Sequence, residues 1–327
     1  MSLLAAAQGG DEDAFARLVA GHRHELHVYC YRMLGSVEDA KDAVQETILA
    51  AWRGLAGFQQ RASLRSWLYR IATNCCLRMS DKRPKRIVSW DHGPSRKPGD
   101  DLGTPVTEPI WLQPWPDDVS TIDPECADPA TSYGRKESVG LAYVAALQRL
   151  PANQRAVLIL REVLAFSAAE VAEQLGTSTQ SVNSAMQRAK ANLAQPVSVD
   201  EPRVDGLDAG QREAMDAFVS AFERADVPAL VRLLAEDVRF TMPPLPAWFD
   251  GVADVTGFFA QRVFATPWRV TRVGFNGRPA MACYQGIEGE FRLGTLTIPH
   301  FRDGRVVWIA SFLDPLLLAR LGLPPRL

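Results

Sequence analysis

The sequence predicts a multidomain protein, with two all-helical modules followed by an α+β domain. Residues 11–80 and 134–193 repeat apolar side chains at helical spacing. Prolines crowd the stretch between them, from Pro84 through Pro94, Pro105 and Pro114 to Pro129, and a shorter Pro-containing stretch, Pro196 to Asp208, follows the second module. From Trp268 onward the pattern turns to alternating strands. A chain of 327 residues has room for two or three such domains. Its net charge of −2 supplies no global basic field, so any nucleic-acid site must be a local patch. With 47% apolar and 23% charged residues, wholesale disorder is excluded. No apolar run reaches the ~18 residues of a membrane span, and Met1-Ser2-Leu3-Leu4-Ala5 lacks the basic start of a secretory signal. Cys30, Cys75, Cys76, Cys126 and Cys283 form no CxxC pair. Neither a zinc site nor a disulfide framework is expected, and the setting is a reducing cytoplasm.

In the first module, Ser36-Val37-Glu38-Asp39 reads as a capped helix start, and the helix runs to about Arg53. Val37, Ala40, Val44, Ile48, Ala51 and Leu55 fall on one core stripe. The opposite face holds Asp39, Asp42, Glu46, Leu49 and Arg53, and an apolar Leu49 among acids suits a protein contact. Ser63 caps the next helix, with Leu64, Leu68, Ile71 and Cys75 as its expected buried stripe. Its other side carries Arg65, Ser66, Tyr69, Arg70 and Thr73, with Trp67 at the boundary and Arg61 upstream. Rings interleaved with cations suit unpaired nucleic acid, where rings stack on bases and cations follow phosphates. The alternative is that Trp67 and Tyr69 are core edge, and for Trp67 the two readings weigh equally.

In the second module, Ala169-Glu170-Val171-Ala172-Glu173-Gln174-Leu175-Gly176 and the residues to Val182 fit a helix-turn-helix. Ala172 lets the helices approach and Gly176 lets the backbone turn. The second of its helices, Thr179 to Leu193, presents Gln180, Ser181, Ser184, Gln187 and Arg188 outward, flanked by Asn183 and Lys190. Such side chains read base edges or hold phosphates.

The motifs Glu38-Asp39-Ala40-Lys41-Asp42-Ala43-Val44-Gln45-Glu46-Thr47 and Ser63-Leu64-Arg65-Ser66-Trp67-Leu68-Tyr69-Arg70-Ile71-Ala72-Thr73-Asn74 resemble region 2 of the extracytoplasmic-function sigma factors of bacterial RNA polymerase. Leu150-Pro151-Ala152-Asn153-Gln154-Arg155 and the helix-turn-helix after it resemble region 4. The resemblance implies a core-polymerase contact through Asp39, Asp42, Gln45, Glu46 and Leu49. It implies −10 recognition through Arg61, Arg65, Trp67, Tyr69, Arg70 and Asn74, and −35 recognition through Gln180, Ser181, Asn183, Ser184, Gln187, Arg188 and Lys190. The implied partners are promoter DNA and core polymerase, at the coiled coil of its largest subunit and the flap of its second. Lys41 departs from the family, where an acid is common. Trp111-Leu112-Gln113-Pro114-Trp115-Pro116-Asp117 resembles a segment of sigma factors with an extra C-terminal domain, either tracking a polymerase groove or packing on a neighbouring helix.

The third domain reads as helices Gln211–Arg224 and Val227–Ala235, a strand, a helix Val252–Val263, then strands Trp268–Phe275, Ala280–Ile287, Glu290–Phe301 and Arg305–Phe312. Asp303-Gly304 is a hairpin turn signal. Ala225-Asp226-Val227-Pro228, Trp248-Phe249-Asp250-Gly251 and Asp303-Gly304-Arg305-Val306 resemble SnoaL-like domains, α+β cones that enclose an apolar pocket. The resemblance implies a small apolar ligand, and a whole further domain on a short tether after Leu193 points to regulation of the helical modules in cis. Asp237, Asp250 and His300 are the only candidate acid–base groups, and without a paired spacing no enzyme activity, cofactor or metal is expected. Of His22, His24 and His27, the last two share a helix face without a third metal ligand, and the group reads as a polymerase-side surface rather than a metal site. The expected layout is region 2 over 1–88, a linker over 89–133, extended rather than packed, region 4 over 134–195, a linker over 196–208 and the cone over 209–327. The alternative is a SnoaL-like enzyme or ligand-sensing domain fused to a helix-turn-helix regulator.

Overall fold

The computed structural model describes residues 2–108, 110–117, 140–193 and 209–327. Cys126, the expected start of the second module at Gly134 and the expected linker 196–208 lie outside them. The described residues form two compact units, one of residues 2–86 and 143–193, the other of 87–117, 140–142 and 209–327. Among them no helix is long and apolar enough to cross a membrane.

The first unit opens with α1 (Leu3–Gln8), α2 (Glu12–Leu34), α3 (Val37–Gly54) and α4 (Leu64–Lys82). Ser2, Asp11, Ser36 and Ser63 cap these helices by accepting a backbone N–H with the side chain. The chain continues through α5 (Leu141–Arg149), α6 (Ala152–Leu158), a π turn (Ile159–Val163), α7 (Ala168–Leu175) and α8 (Thr179–Leu193). A capping box of Ser167 and Glu170 starts α7. Gly176 ends it at φ 62°, the left-handed conformation that turns the chain toward α8.

Helix α4 is more buried than its apolar stripe predicts. Leu68 and Cys75 are buried and Leu64 and Ile71 only half-buried, while Ser66, Tyr69 and Thr73, expected on the outer face, are buried too. The helix is covered from two sides: Tyr29 of α2 bonds the Thr73 hydroxyl at 2.7 Å, and the second helical module, which shares this unit, covers the rest. Gln174 on α7 donates to the Ser66 hydroxyl at 3.1 Å, and Phe166 meets Tyr69 edge-on at 5.5 Å. Ile48 of α3 is likewise half-buried, and Ala43 and Thr47 join the core in its place.

The second unit contains α9 (Ala209–Glu223), α10 (Val227–Leu233), α11 (Val252–Gln261) and α12 (Pro315–Arg320) with six strands, β1 (Leu234–Thr241), β2 (Trp248–Asp250), β3 (Trp268–Phe275), β4 (Arg278–Ile287), β5 (Glu290–Arg302) and β6 (Arg305–Phe312). The sheet order is β2-β1-β6-β5-β4-β3, antiparallel throughout except for β1 beside β6. Asp303 and Gly304 both take positive φ, 51° and 75°, as a tight hairpin between β5 and β6 requires. Register shifts in the β4–β5 and β5–β6 pairings bend the sheet. Phe218, Phe240, Phe249, Phe258 and Phe259 pack inside the curve.

The expectation of an unpacked linker fails for residues 87–117. They are built into the second unit. Trp90 packs edge-on against Trp308 at 5.0 Å, and Trp248 donates to the Gly93 carbonyl at 2.7 Å. Trp111 and Trp115 are buried, and the Trp115 backbone exchanges hydrogen bonds with Asn276 in the β3–β4 turn. The Asp117 carboxylate, although at the surface, accepts the Gly277 N–H at 2.7 Å, and partial desolvation there pushes its pKa up to about 6. Apart from the short helical turn Ser89–His92, proline limits regular structure here but does not prevent burial. Trp115 therefore packs on a strand turn rather than on a helix.

Candidate nucleic-acid and protein interfaces

On α3 the expected acidic face is divided by burial. Asp42, Gln45, Glu46 and Leu49 are exposed and recur at the helical spacing that places them on one side. Glu46 lies 3.6 Å from Arg78 and Asp42 lies 3.2 Å from Arg83, both exposed pairs. Burial and the neighbouring Glu38 and Glu46 carboxylates raise the Asp42 pKa in spite of Lys41. Asp39 departs from the expectation. It is buried and paired with both Arg83 and Arg86, just beyond α4. Arg86 is itself buried, which lowers its pKa to about 10, so it remains a cation at neutral pH. Asp39 thus closes an internal ion pair.

The α4 candidates also separate. Arg61, Arg70 and Asn74 are exposed. Trp67 is half-buried, with its ring on Phe58 at 4.8 Å. Tyr69 is fully buried, so base stacking is closed to it. Its hydroxyl donates to Glu25 at 3.2 Å, and its ring meets Tyr29 edge-on at 5.2 Å. Arg65 is engaged too: its Nε bonds Glu25 at 3.0 Å, and its guanidinium lies over the Tyr69 and Phe166 rings. Burial pushes the Glu25 carboxyl up, but hydrogen bonds from His22 and Arg65 outweigh it and hold the pKa at about 2.

On α8 the seven candidates Gln180, Ser181, Asn183, Ser184, Gln187, Arg188 and Lys190 are all exposed, while Val182 and Ala189 are buried beneath them. Lys190 also pairs with Glu162 at 2.9 Å. The helix contains no Asp or Glu, so no acid on it opposes a phosphate backbone.

Sequence reasoning missed the residues that join the two helical modules. Arg155 on α6 is buried and donates to the carbonyls of Leu147, Gln148 and Leu150 and to Met33 at the end of α2. Buried Gln148 donates to Arg32 O at 3.1 Å. The available signal was polar side chains, Gln148, Arg155 and Gln174, on stretches otherwise apolar at helical spacing.

In the second unit the candidate acid–base groups do not converge. Asp237 is exposed and paired with Arg302 at 2.6 Å, and Asp250 is exposed beside Arg239 at 3.5 Å. His300 is fully buried and stacked on Trp308 at 4.4 Å, and burial lowers its pKa strongly, so it stays neutral. None of the three lines the aromatic cavity of about 320 Å³ inside the cone.

Three family models match the chain: Sigma-70 region 2 over residues 18–85, Sigma-70 region 4 over 141–193 and the SnoaL-like domain over 215–309. The ECF RNA polymerase sigma factor SigG of Mycobacterium tuberculosis is 41% identical over 319 residues, covering 94% of this chain and 83% of the relative. SigJ of the same organism is 30% identical over 222 residues, 67% of this chain and 62% of that protein. The crystal structure of M. tuberculosis SigJ superposes with a TM-score of 0.64 at 23% identity, covering 94% of this chain and 99% of that one, a likeness of fold.

Proposed function

This chain belongs to the extracytoplasmic-function sigma factors of RNA polymerase, and we propose that it works through three separable surfaces. As a sigma factor it binds core polymerase and promoter DNA to start transcription. The exposed Asp42, Gln45, Glu46 and Leu49 of α3 dock on the coiled coil of the largest polymerase subunit, and α7–α8 lie near the flap of the second. Arg61, Arg70, Asn74 and Trp67 serve the −10 element. Arg65 joins them only after leaving Glu25, and Tyr69 supports the site from beneath. The outward side chains of α8, from Gln180 to Lys190, read the −35 element.

The observation that carries this reading is the α8 face, seven exposed polar or basic side chains on a helix without an acid, above a buried Val182 and Ala189. A run-off transcription assay with core polymerase and promoter templates tests it. The chain should give a promoter-dependent transcript that Gln187→Ala plus Arg188→Ala reduces on templates with an intact −35 element. Equal transcript from both proteins would remove α8 from promoter recognition.

The second unit regulates the sigma regions in cis. Support comes from residues 87–117, which follow region 2 in the chain and are packed into that unit through Trp90, Trp115 and Asp117. Whatever loosens or tightens that packing changes the free length between the two promoter-reading regions. No catalysis is assigned to it, because the described cavity wall carries no Asp, Glu or His.

A further inference from the structure

We propose that the cavity of the C-terminal domain is a binding site for a lipophilic aromatic monoanion, its rings inside the cone and its charge on Arg262 at the rim. The cavity measures about 320 Å³. Packed interiors leave few voids larger than a water molecule, whereas pockets for drug-sized ligands run from about 300 to 1,000 Å³. Phe222, Phe240, Phe258, Phe259 and Trp268 make its lining rich in rings. Flat aromatic groups are the natural complement of such a lining, since rings pair edge-on or offset with rings.

Two polar features narrow the ligand class. Arg262, just after α11, is exposed, lines the cavity and makes no ion pair among the described residues. A guanidinium in that position favours a carboxylate or sulfonate and can bind it through two N–H groups. Farther along the wall, Thr295 is 8% exposed and its hydroxyl has no hydrogen-bond partner, while the Thr297 and Ser311 hydroxyls bond each other at 2.8 Å. A buried hydroxyl without a partner is costly, and a ligand oxygen would satisfy it. Among the described residues the wall therefore offers groups that hold a ligand and no Asp, Glu or His.

The wall also includes Leu102, from the stretch that follows region 2. Around it Lys97 pairs with Asp254 at 2.8 Å, and Pro98 sits against Gly257 so closely that a Cβ there would lie 2.8 Å from its ring. An occupant touches this stretch as well as the cone, so the proposal deepens the reading of the domain as a regulator and rests on it for any effect on transcription.

The test is fluorescence titration of the full chain with 8-anilinonaphthalene-1-sulfonate and with N-phenyl-1-naphthylamine, the same ring system without the sulfonate. Both should bind saturably with one site, the sulfonate about fivefold tighter, the scale of an exposed charge contact. Arg262→Gln should erase that preference and leave the neutral probe unchanged. Leu102→Trp, which fills the wall, should abolish binding of both while far-UV circular dichroism stays that of the parent. No saturable binding, equal affinity for the two probes, an Arg262→Gln protein that keeps the preference, or undiminished binding to a folded Leu102→Trp protein each overturns the proposal. No polymerase or DNA enters the assay, so its failure is distinct from a failure of the regulatory reading, which a transcription assay of the truncated chain addresses.

Discussion

Asp39 and Asp42 lie on one helix three residues apart, and the structure predicts opposite consequences for changing them. The Asp39 and Arg86 side chains are 8% and 4% exposed, and Arg83 closes the same carboxylate from the other side. Asp39→Ala leaves the Arg86 cation buried without this carboxylate, and breaking a buried pair from one side costs about 3–5 kcal/mol. In a unit of this size that lowers Tm by about 6–20 °C. The Asp42 and Arg83 side chains are 53% and 39% exposed. Solvent screens such a pair, so Asp42→Lys plus Glu46→Lys should cost about 1 kcal/mol or less. Core binding should follow the reverse order: the double charge reversal abolishes co-purification with core polymerase, and Asp39→Ala, kept below its lowered Tm, retains it. Thermal unfolding followed at 222 nm and a pull-down on tagged core polymerase read the two quantities. An Asp39→Ala protein as stable as the parent would refute the buried-pair argument. A double-reversal protein that still co-purifies would refute the docking face.

Glu25 has its pKa lowered from 4.5 to about 2, so its contribution is present above about pH 4.5 and is lost as pH falls toward 2. That is about 3 kcal/mol of acid sensitivity, and urea unfolding between pH 5 and 2 should show Glu25→Gln losing less stability than the parent over that range; parallel losses would refute the assignment. Trp67→Ala should leave closed-complex binding nearly intact and impair strand opening in permanganate footprints; normal opening would mean that the role of Trp67 ends with its packing on Phe58. Arg188→Ala should weaken binding of the polymerase holoenzyme to the upstream duplex by about 1–3 kcal/mol where a base contact is lost, read by gel shift on −35 variants; a loss equal on all templates would instead mark a phosphate contact.

Much of this architecture was legible because its signals are local. Ser36 and Ser63 announce helix starts, Gly176 announces the turn of the helix-turn-helix, and Asp303-Gly304 announces the β5–β6 hairpin. Each works through its own backbone or through neighbours a few residues away. The outward face of α8 was equally legible, because one buried stripe on a short amphipathic helix determines which side chains face solvent.

What escaped depends on partners far away in the chain. Tyr69 and Arg65 carry the composition of a nucleic-acid surface, and only the arrival of Glu25 and Tyr29 from one side and Phe166 from the other shows that Tyr69 is core and Arg65 is engaged. Asp39 repeats at the spacing of an exposed acid, and its burial is decided by Arg83 and Arg86, more than 40 residues later. Trp115 sits in a proline-rich stretch, and its partner Asn276 is 161 positions away. Hydrophobic periodicity tells which side of a helix prefers to be buried, but a helix packed on two sides has no free polar face. By itself the sequence determined most of the elements, their order and the family they compose, while the short β2 and α12 escaped it. The tertiary structure alone decided which polar side chains remain available, because availability is set by what another part of the chain brings against them.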